Sequence, residues 1–468
     1  MNIKITELDA VLSRVDLRGI QVLAPILSYQ DTIWKTGQYA KKRITVIKKC
    51  YKSSKGKEAL FLTGFIPRIK MYLDSIGYTH EIIPMKDVEI ALHGRYRLKN
   101  RTTKKMEVLR PDQIELIDAA FANKRGMIKA PTGSGKSFLI YGIISNFNLG
   151  ENILILCHSA GIVKQLTDGL SEYFSKIVMF GGDVDPTIKF RPLKDRIVVS
   201  TIQSFARLLP QNYCDYFSCV MVDEGHRVSS FNGLYAEVLQ NLLAPYRFGF
   251  TATLPTKLEA QFAYEGLIGP LIAELSINQA AELDILAKPK IKIIKAGFPP
   301  HIRDLRDYHS VVQEGIVENE TRNRQIVGLI KECINRNETV LIFVNKIEHG
   351  DRLEQICFNE GVEIKFIQGS STIDIRERVK KELNMGIVKA VISTVVWKEG
   401  VNIPNLNNVI NAAGGKSEIA TLQSIGRALR KTVDKSHVTI YDFFDGSHPY
   451  LVSHFGERIS LYCDMGWL

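Results

Sequence analysis

Ala130-Pro-Thr-Gly-Ser-Gly-Lys136-Ser137 follows the short apolar stretch Met127-Ile128 and runs into an apolar, helix-like segment. The spacing is that of a phosphate-binding loop, with Ala130 where that pattern has its first glycine. Pro131, Thr132, Gly133, Ser134 and Gly135 make up the loop. Gly133 and Gly135 let backbone N–H groups converge on phosphate oxygens, and the following helix offers its positive end. In this arrangement Lys136 is placed to reach the β- and γ-phosphates and Ser137 to hold Mg²⁺. The expected cofactors are therefore ATP and Mg²⁺. Val220-Met-Val-Asp223-Glu224-Gly-His226 ends an apolar run in two acids. Both acids should sit at a strand's carboxyl end beside the loop, Asp223 binding Mg²⁺ and Glu224 polarising the attacking water as general base. Gln423-Ser-Ile-Gly-Arg427-Ala-Leu-Arg430 puts two guanidinium groups three residues apart, on one helical face. Such groups can neutralise charge that develops on a transferred phosphoryl. His226 and Gln423, inside these two motifs, are counted with the catalytic set.

The elements that must position these residues follow from the apolar pattern. From about residue 106 short apolar strands alternate with amphipathic helices. The candidates are Met127-Ile128, Ile153–Leu156, Ile197–Val199, Cys219–Val222 and Phe248–Phe250. The pattern restarts at Thr339–Val344, Ala390–Ile392, Asn408–Ile410 and Val438–Ile440. Such alternation predicts parallel sheets covered by helices, here two α/β lobes joined near residues 276–300. Upstream, residues 40–49 and 59–63 read as strands with a basic hairpin tip between them. Pro67 opens a helix that Gly77 ends. Residues 100–105, NRTTKK, read as a polar, basic connector.

Taken in order, APTGSGKS, DEGH and QSIGRALR resemble the motifs of superfamily 2 helicases. The likeness covers about residues 106–445 and lets further motifs be placed. Leu109-Arg-Pro-Asp-Gln113 resembles the adenine-reading segment, with Gln113 in the base-contacting role. Phe250-Thr251-Ala252-Thr253 resembles the motif that couples hydrolysis to DNA contact. Thr201-Ile-Gln203-Ser204 resembles a strand-contact loop of the first lobe. Gln368-Gly369, before a helix carrying Arg376, resembles the second-lobe backbone-binding segment. Ile392-Ser393-Thr394, followed by Glu399-Gly400, resembles the motif that touches both DNA backbone and nucleotide. The resemblance implies P-loop NTPase architecture, with two RecA-like parallel-sheet lobes behind a small basic α+β N-terminal domain. The implied divisions are 1–105, 106–285 and 286–468. It also implies ATP held between the lobes, with hydrolysis completed only when they close. The DEGH tetrad disfavours a DEAD-box RNA helicase. After Ile153–Leu156 the usual Pro-Thr of the first DNA-contact motif is missing, and His158-Ser159 stand there instead. The compact layout resembles the UvsW-type branch-migration helicases of large bacteriophages, which implies action on branched DNA such as forks and recombination intermediates.

The net charge is +11 over 468 residues, and its placement is informative. Residues 1–105 hold 21 Lys/Arg against 9 Asp/Glu, so the first quarter carries the whole excess. That asymmetry suggests a footprint for a polyanion. Lys41, Lys42, Arg43, Lys48 and Lys49 are its densest part and the expected DNA-backbone contacts. Trp34, Tyr39 and Tyr51 lie among them and could stack on unpaired bases. The seven cysteines form no CxxC pair, which fits a reduced, cytoplasmic protein, in the host cytoplasm if the chain is phage-encoded. No apolar run is long enough for a membrane span and the first residues do not read as a signal peptide. DNA is the expected partner, with the protein acting as a monomer on it. Three other readings stay open: an RNA helicase or remodeller, an ATP-gated nucleic-acid clamp without processive movement, and the motor subunit of a restriction complex.

Overall fold

The computed structural model describes residues 3–7, 12–36, 41–54, 58–83, 96–148, 150–181, 197–207, 215–283, 285, 288–394, 403, 405–414, 437–464 and 467–468. They divide into two compact units, Met1–Ala130 with Gly135–Leu275, and Pro131–Ser134 with Ser276–Leu468.

The first unit opens with β1 (Ile3–Glu7), β2 (Leu12–Asp16), α1 (Leu17–Leu23), β3 (Ser28–Thr36), β4 (Lys41–Lys49), β5 (Tyr51–Ser54), β6 (Glu58–Leu62), α2 (Ile66–Ser75) and β7 (His80–Ile83). Five of these strands form a mixed sheet in the order β5-β6-β2-β1-β7. Its alternate inward residues, among them Ile3, Ile5, Val15, Ala59 and Phe61, bury against α2 through Ile69 and Leu73. The basic stretch does form a strand, but its partner differs from the one expected. β4 pairs over its whole length with β3 as a two-stranded ribbon, from Ser28↔Lys49 to Thr36↔Lys41. β6 pairs instead with β5, in register Tyr51↔Phe61. The residues of β3 alternate too weakly in polarity to announce a strand on their own.

The connector expected at residues 100–105 is the turn of an ordered hairpin, β8 (Arg97–Lys99) with β9 (Met106–Val108). Asn100 is buried, and its side-chain oxygen accepts from the backbone N–H groups of Thr102 and Thr103, both at 2.9 Å. An Asx turn therefore shapes what polarity alone marked as a linker.

Next come α3 (Pro111–Asn123), β10 (Arg125–Lys129), α4 (Lys136–Asn146), β11 (Ile153–Cys157), α5 (Ala160–Ser171), β12 (Ile177–Phe180), β13 (Ile197–Thr201), α6 (Ile202–Ala206), β14 (Cys219–Asp223), α7 (Leu234–Gln240), β15 (Tyr246–Thr251), α8 (Leu258–Leu267) and β16 (Leu271–Glu274). The seven strands are all parallel, in the order β12-β13-β11-β14-β15-β10-β16. β11 and β13 are buried along their whole length, which is why they read as unbroken apolar runs. With every strand parallel, all carboxyl ends gather on one edge of the sheet, where α/β proteins place their ligands.

The second unit contains α9 (Ile277–Glu282), β17 (Lys288–Lys295), α10 (Tyr308–Val312), α11 (Glu320–Asn335), β18 (Val340–Phe343), α12 (Ile347–Asn359), β19 (Lys365–Ile367), α13 (Ile373–Met385), β20 (Ala390–Ser393), β21 (Asn408–Asn411), β22 (His437–Phe444) and α14 (Pro449–Asp464). Its six strands are parallel, in the order β17-β22-β21-β18-β20-β19. One core of Val340, Ile342, Ile392, Ile410, Tyr441 and Phe443 packs against Ile326 and Ile330 of α11. No helix among the described residues is long and apolar enough to cross a membrane.

Candidate nucleotide site and nucleic-acid surfaces

β10 ends at Lys129, and the loop that follows turns on two left-handed glycines, Gly133 (φ 88°) and Gly135 (φ 94°). That backbone region is costly for any side chain with a Cβ. At Gly135 a Cβ would also come within 2.8 Å of the Gln113 Nε2 atom. The loop is held from inside. The N–H and hydroxyl of Ser134 both donate to the Pro131 carbonyl, at 3.2 and 2.7 Å. The Ala130 N–H donates to the Thr251 carbonyl of the neighbouring strand at 2.9 Å. Ala130 has no exposed surface, so the missing glycine costs this loop nothing in fit.

Lys136 opens α4 and folds back so that Nζ donates to the Ala130 carbonyl at 3.2 Å, across the mouth of the loop. Ser137, next in the helix, is exposed. Gln113 is buried, and its amide braces the loop. Its oxygen accepts from the Arg110 N–H at 3.1 Å, while its nitrogen donates to the Gly135 carbonyl at 3.5 Å.

Asp223 ends β14, and Glu224 leaves it in a left-handed conformation, φ 55° and ψ 54°. β15 lies between β14 and β10, so the acids do not stand on the strand next to the loop; Thr251 comes between them. The approach is nonetheless close enough for charges to act. Burial raises the Asp223 carboxyl to about 6, the Glu224 charge adds to the rise, and Lys136 opposes it. Gly225 is closely packed: a Cβ there would push against the end of the Met127 side chain, its methyl at 2.7 Å and its sulfur at 2.9 Å.

His226 lies 2.9 Å from the Thr251 hydroxyl and 3.3 Å from the Glu224 carboxylate, both through Nδ1. Thr251 donates its own proton to the Thr253 carbonyl at 2.6 Å and accepts from the Thr253 N–H at 3.2 Å. A hydroxyl has a single proton to give, so Nδ1 of His226 must carry the proton of its bond to Thr251. The acid tetrad and the Thr251-Ala-Thr253 segment are thus tied by a contact that spacing along the chain does not reveal.

These groups fit a magnesium nucleotide. The Ser137 hydroxyl and the Asp223 carboxylate are hard oxygen donors of the kind Mg²⁺ prefers, and the elevated Asp223 carboxyl is what an added cation would draw back to the charged form. Glu399, Gly400, Gln423, Arg427 and Arg430 lie outside the described residues.

The expected nucleic-acid contacts fall on three surfaces. Thr201 caps α6, its hydroxyl accepting from the Ser204 N–H at 3.2 Å, while Gln203, two residues on, is exposed. In the second unit, Gln368, Gly369 and Thr394 meet at the carboxyl ends of adjacent strands, the Thr394 N–H donating to the Ile367 carbonyl at 3.1 Å. Arg376 donates to the Gly369 carbonyl at 2.7 Å and shapes that turn. Thr394 itself is buried and Gly369 exposed. On the ribbon Lys48 and Lys49 are exposed, with Lys49 over the Tyr51 ring at 5.7 Å. Tyr51 packs against the N-terminal core. Of Lys41, Lys42 and Arg43 only the backbone register is described.

Reasoning from sequence missed the role of the carboxyl-terminal helix. Arg458 and Tyr462 of α14 converge on the buried Asp442 of β22, at 2.9 and 2.8 Å, and Arg458 also donates to the Gly414 carbonyl at 3.1 Å. Arg322 likewise joins Asp445, at 2.7 Å, to the Ala412 carbonyl, at 2.9 Å. The spacing of Arg458 and Tyr462, four apart on one helical face, was the available signal.

Comparison with known proteins bears on the same segments. Residues 106–256 match the family "Type III restriction enzyme, res subunit", and residues 322–432 match the "Helicase conserved C-terminal domain". Together the two matches span more than half of the chain. The chain belongs to the superfamily 2 helicases. This helicase is 24% identical, over 86% of its length and 85% of the relative's, to the ATP-dependent DNA helicase uvsW of Enterobacteria phage T4. It is 23% identical to the DNA 3'-5' translocase XPB2 of Sulfurisphaera tokodaii, over 74% of this chain and 83% of that one. Among solved structures, the helicase domain of Hef from Pyrococcus furiosus aligns with a TM-score of 0.54 at 14% identity, over 77% of this chain and 100% of that chain. The ATP-dependent Type ISP restriction-modification enzyme LlaBIII bound to DNA aligns with a TM-score of 0.58 at 17% identity, over 85% of this chain and 32% of that one. These likenesses establish two RecA-like lobes as the fold and ATP-dependent helicase as the class of enzyme.

Proposed function

We propose that this helicase is an ATP-driven motor on DNA, with forks and recombination intermediates as its substrates. The observation that carries the reading is the contact of His226 with both motifs beside the phosphate loop: its Nδ1 is hydrogen-bonded to Thr251 at 2.9 Å and lies 3.3 Å from the Glu224 carboxylate. An acid tetrad tied to the segment that leads away from the sheet suits an enzyme that turns hydrolysis into movement. The names of the relatives uvsW and XPB2 support DNA as the track.

In this reading Lys136 and the Gly133 and Gly135 amides hold the phosphates. Ser137 and Asp223 hold the magnesium ion, which when bound neutralises charge on the β- and γ-phosphates. Glu224 takes the proton of the attacking water, with His226 beside it bonded to Thr251. Gln113, Glu399 and Gly400 serve nucleotide binding, with Gln423, Arg427 and Arg430 completing the hydrolytic set. Thr201, Gln203, Gln368, Gly369 and Thr394 contact the strand. Lys41, Lys42, Arg43, Lys48 and Lys49 hold duplex phosphates. Residues 1–105 act as the DNA-holding module, 106–285 and 286–468 as the motor lobes, and the protein works as a monomer in the cytoplasm.

Steady-state ATPase measured with no nucleic acid, single-stranded DNA, duplex DNA, forked DNA and structured RNA tests the reading. Strong stimulation, greatest with forks, is expected. Lys136→Ala and Glu224→Gln should each lower turnover by roughly 10³-fold or more while DNA binding survives. Undiminished turnover in either variant would falsify the site assignment. A relative named as a putative RNA helicase, from Acanthamoeba polyphaga mimivirus and 24% identical over 72% of this chain, gives the RNA arm its place. Stimulation by RNA alone would replace the track and leave the catalytic set standing. DNA binding gated by ATP without strand displacement would favour a clamp.

A further inference from the structure

Two chain segments lead away from the candidate hydrolytic site, and both end against the N-terminal sheet. After His226 the chain reaches Phe231, which packs on the core built from Ile5, Phe61 and Leu73. After Thr253 it reaches α8, whose residues divide between two cores. Tyr264 and Leu267 belong to the core of the first lobe. Phe262 belongs to the N-terminal core, with its ring centroid 5.1 Å from that of Tyr29 and 5.9 Å from that of Phe65. The two segments are also joined to each other near their start. The Ser230 hydroxyl of the first donates to Glu259 of the second at 3.5 Å.

At the centre of this contact sits one ion pair. Arg68 of α2 grips Glu265 of α8 with two parallel hydrogen bonds, Nε to Oε1 at 2.7 Å and Nη2 to Oε2. The Glu265 side chain is only 8% exposed, so its charge depends on this partner. The guanidinium carbon also lies over the Phe262 ring, 4.7 Å from its centroid. A planar fork that meets both carboxylate oxygens and a ring face fixes direction as well as distance. Backbone contact beside the pair is equally tight. A Cβ at Gly64 would come within 2.1 Å of the Glu265 carbonyl, and one at Gly266 within 2.8 Å of Leu62 and 2.9 Å of Phe65. The pairing raises the Arg68 guanidinium above its ordinary value, in keeping with a desolvated partner rather than a surface one.

We propose that Arg68 and Glu265 are a positioning pair, which seats the N-terminal module on the segments leaving the hydrolytic site so that the basic ribbon is presented to DNA by the same body that carries Lys136 and Glu224. For its DNA part the inference rests on the function proposed above. A module that could swing would lose part of its binding free energy to orientation before any phosphate contact formed. A seated one presents its cations already ordered.

The test uses the full chain with Arg68→Met, Glu265→Gln and the milder Arg68→Lys, which keeps a charge but loses the fork. Two measurements are made on each: hydrogen exchange of peptides from residues 59–75 and 258–267, and ATPase as a function of forked-DNA concentration. In Arg68→Met and Glu265→Gln, exchange in both peptides should quicken by roughly ten-fold or more while β11 and β14 stay protected. The half-saturating DNA concentration should rise by roughly ten-fold, with basal turnover and turnover at saturating DNA within about two-fold of wild type. Arg68→Lys should move both readings the same way by a smaller factor, and it decides the matter should the harsher variants not fold. Unchanged exchange in all three variants would overturn the pair as the seat. Quickened exchange with an unchanged DNA requirement would overturn its role in presenting the ribbon. A wild-type protein that DNA does not stimulate would refute the DNA reading, while the exchange measurement would still decide whether the pair seats the module.

Discussion

Thr251 illustrates how one hydroxyl can serve two motifs. It accepts from His226 and from the Thr253 N–H and donates to the Thr253 carbonyl, so all its hydrogen-bonding capacity is used. Replacing it by valine keeps the shape and removes every one of these contacts. Thr251 has no exposed surface, so its partners lose these bonds on a side closed to solvent. Thr251→Val should therefore lower DNA-stimulated turnover by roughly ten-fold, about 1.4 kcal/mol of transition-state stabilisation, and lower strand displacement further than that. Turnover and displacement falling in the same proportion, in parallel ATPase and fork-unwinding assays, would show that the hydroxyl serves hydrolysis alone. Lys136, Ser137, Asp223 and Glu224 could be named as candidates from the sequence because their chemistry is local: a loop needs its glycines and a metal needs its oxygens, at spacings the chain displays. The bond from His226 to Thr251 was not legible. It joins residues 25 apart through the pairing of β14 with β15, which no periodicity encodes.

Among the elements, those buried on both faces were the readable ones. β11, β13, β14, β18 and β20 are apolar throughout or nearly so, and each was visible as a run. In the two parallel sheets, those missed are the edge strands β12, β16, β17 and β19. β17 carries lysines at positions 288, 290, 292 and 295, a usual protection for an open edge that erases the apolar signal. α14 escaped for another reason, since its importance lies in polar residues. Arg458 and Tyr462 satisfy a carboxylate, Asp442, that has no exposed surface. Removing one member of a buried pair leaves the other charge without compensation, at a cost of about 3–5 kcal/mol. Arg458→Ala should lose stability of that size in chemical denaturation, whereas a loss under about 1 kcal/mol would mean that Asp442 is held by Tyr462 and Asn411 without it. Because Arg458 also binds the Gly414 carbonyl, nine residues before Gln423, the variant should lose ATPase activity at temperatures where the first unit is still folded.

For the molecule as a whole, charge and architecture divide the work unequally. The two motor lobes together are close to neutral, and the excess cations lie in the first 105 residues. In the proposed reading, lobes that grip and release a strand at every step gain nothing from strong unconditional attraction, whereas an N-terminal module that holds the DNA does. Counterion release gives that module a measurable signature. Each phosphate neutralised on duplex DNA contributes about 0.9 to the slope of log affinity against log salt. Lys41, Lys42, Arg43, Lys48 and Lys49 share one strand of a ribbon, and the last two are exposed. Changing all five to alanine should lower the magnitude of the slope for forked DNA by roughly 3–5 and weaken binding uniformly across sequences. The sign follows from the charge: the variant should be far weaker than wild type at low salt and approach it as salt rises, because screening removes the same contacts from both. Turnover at saturating DNA should remain near wild type, since none of the five lies near the phosphate loop in the chain. A slope that does not move on titration from about 50 to 200 mM salt would mean that the excess charge of the first quarter serves another anion, and that the strand is held by the lobes alone.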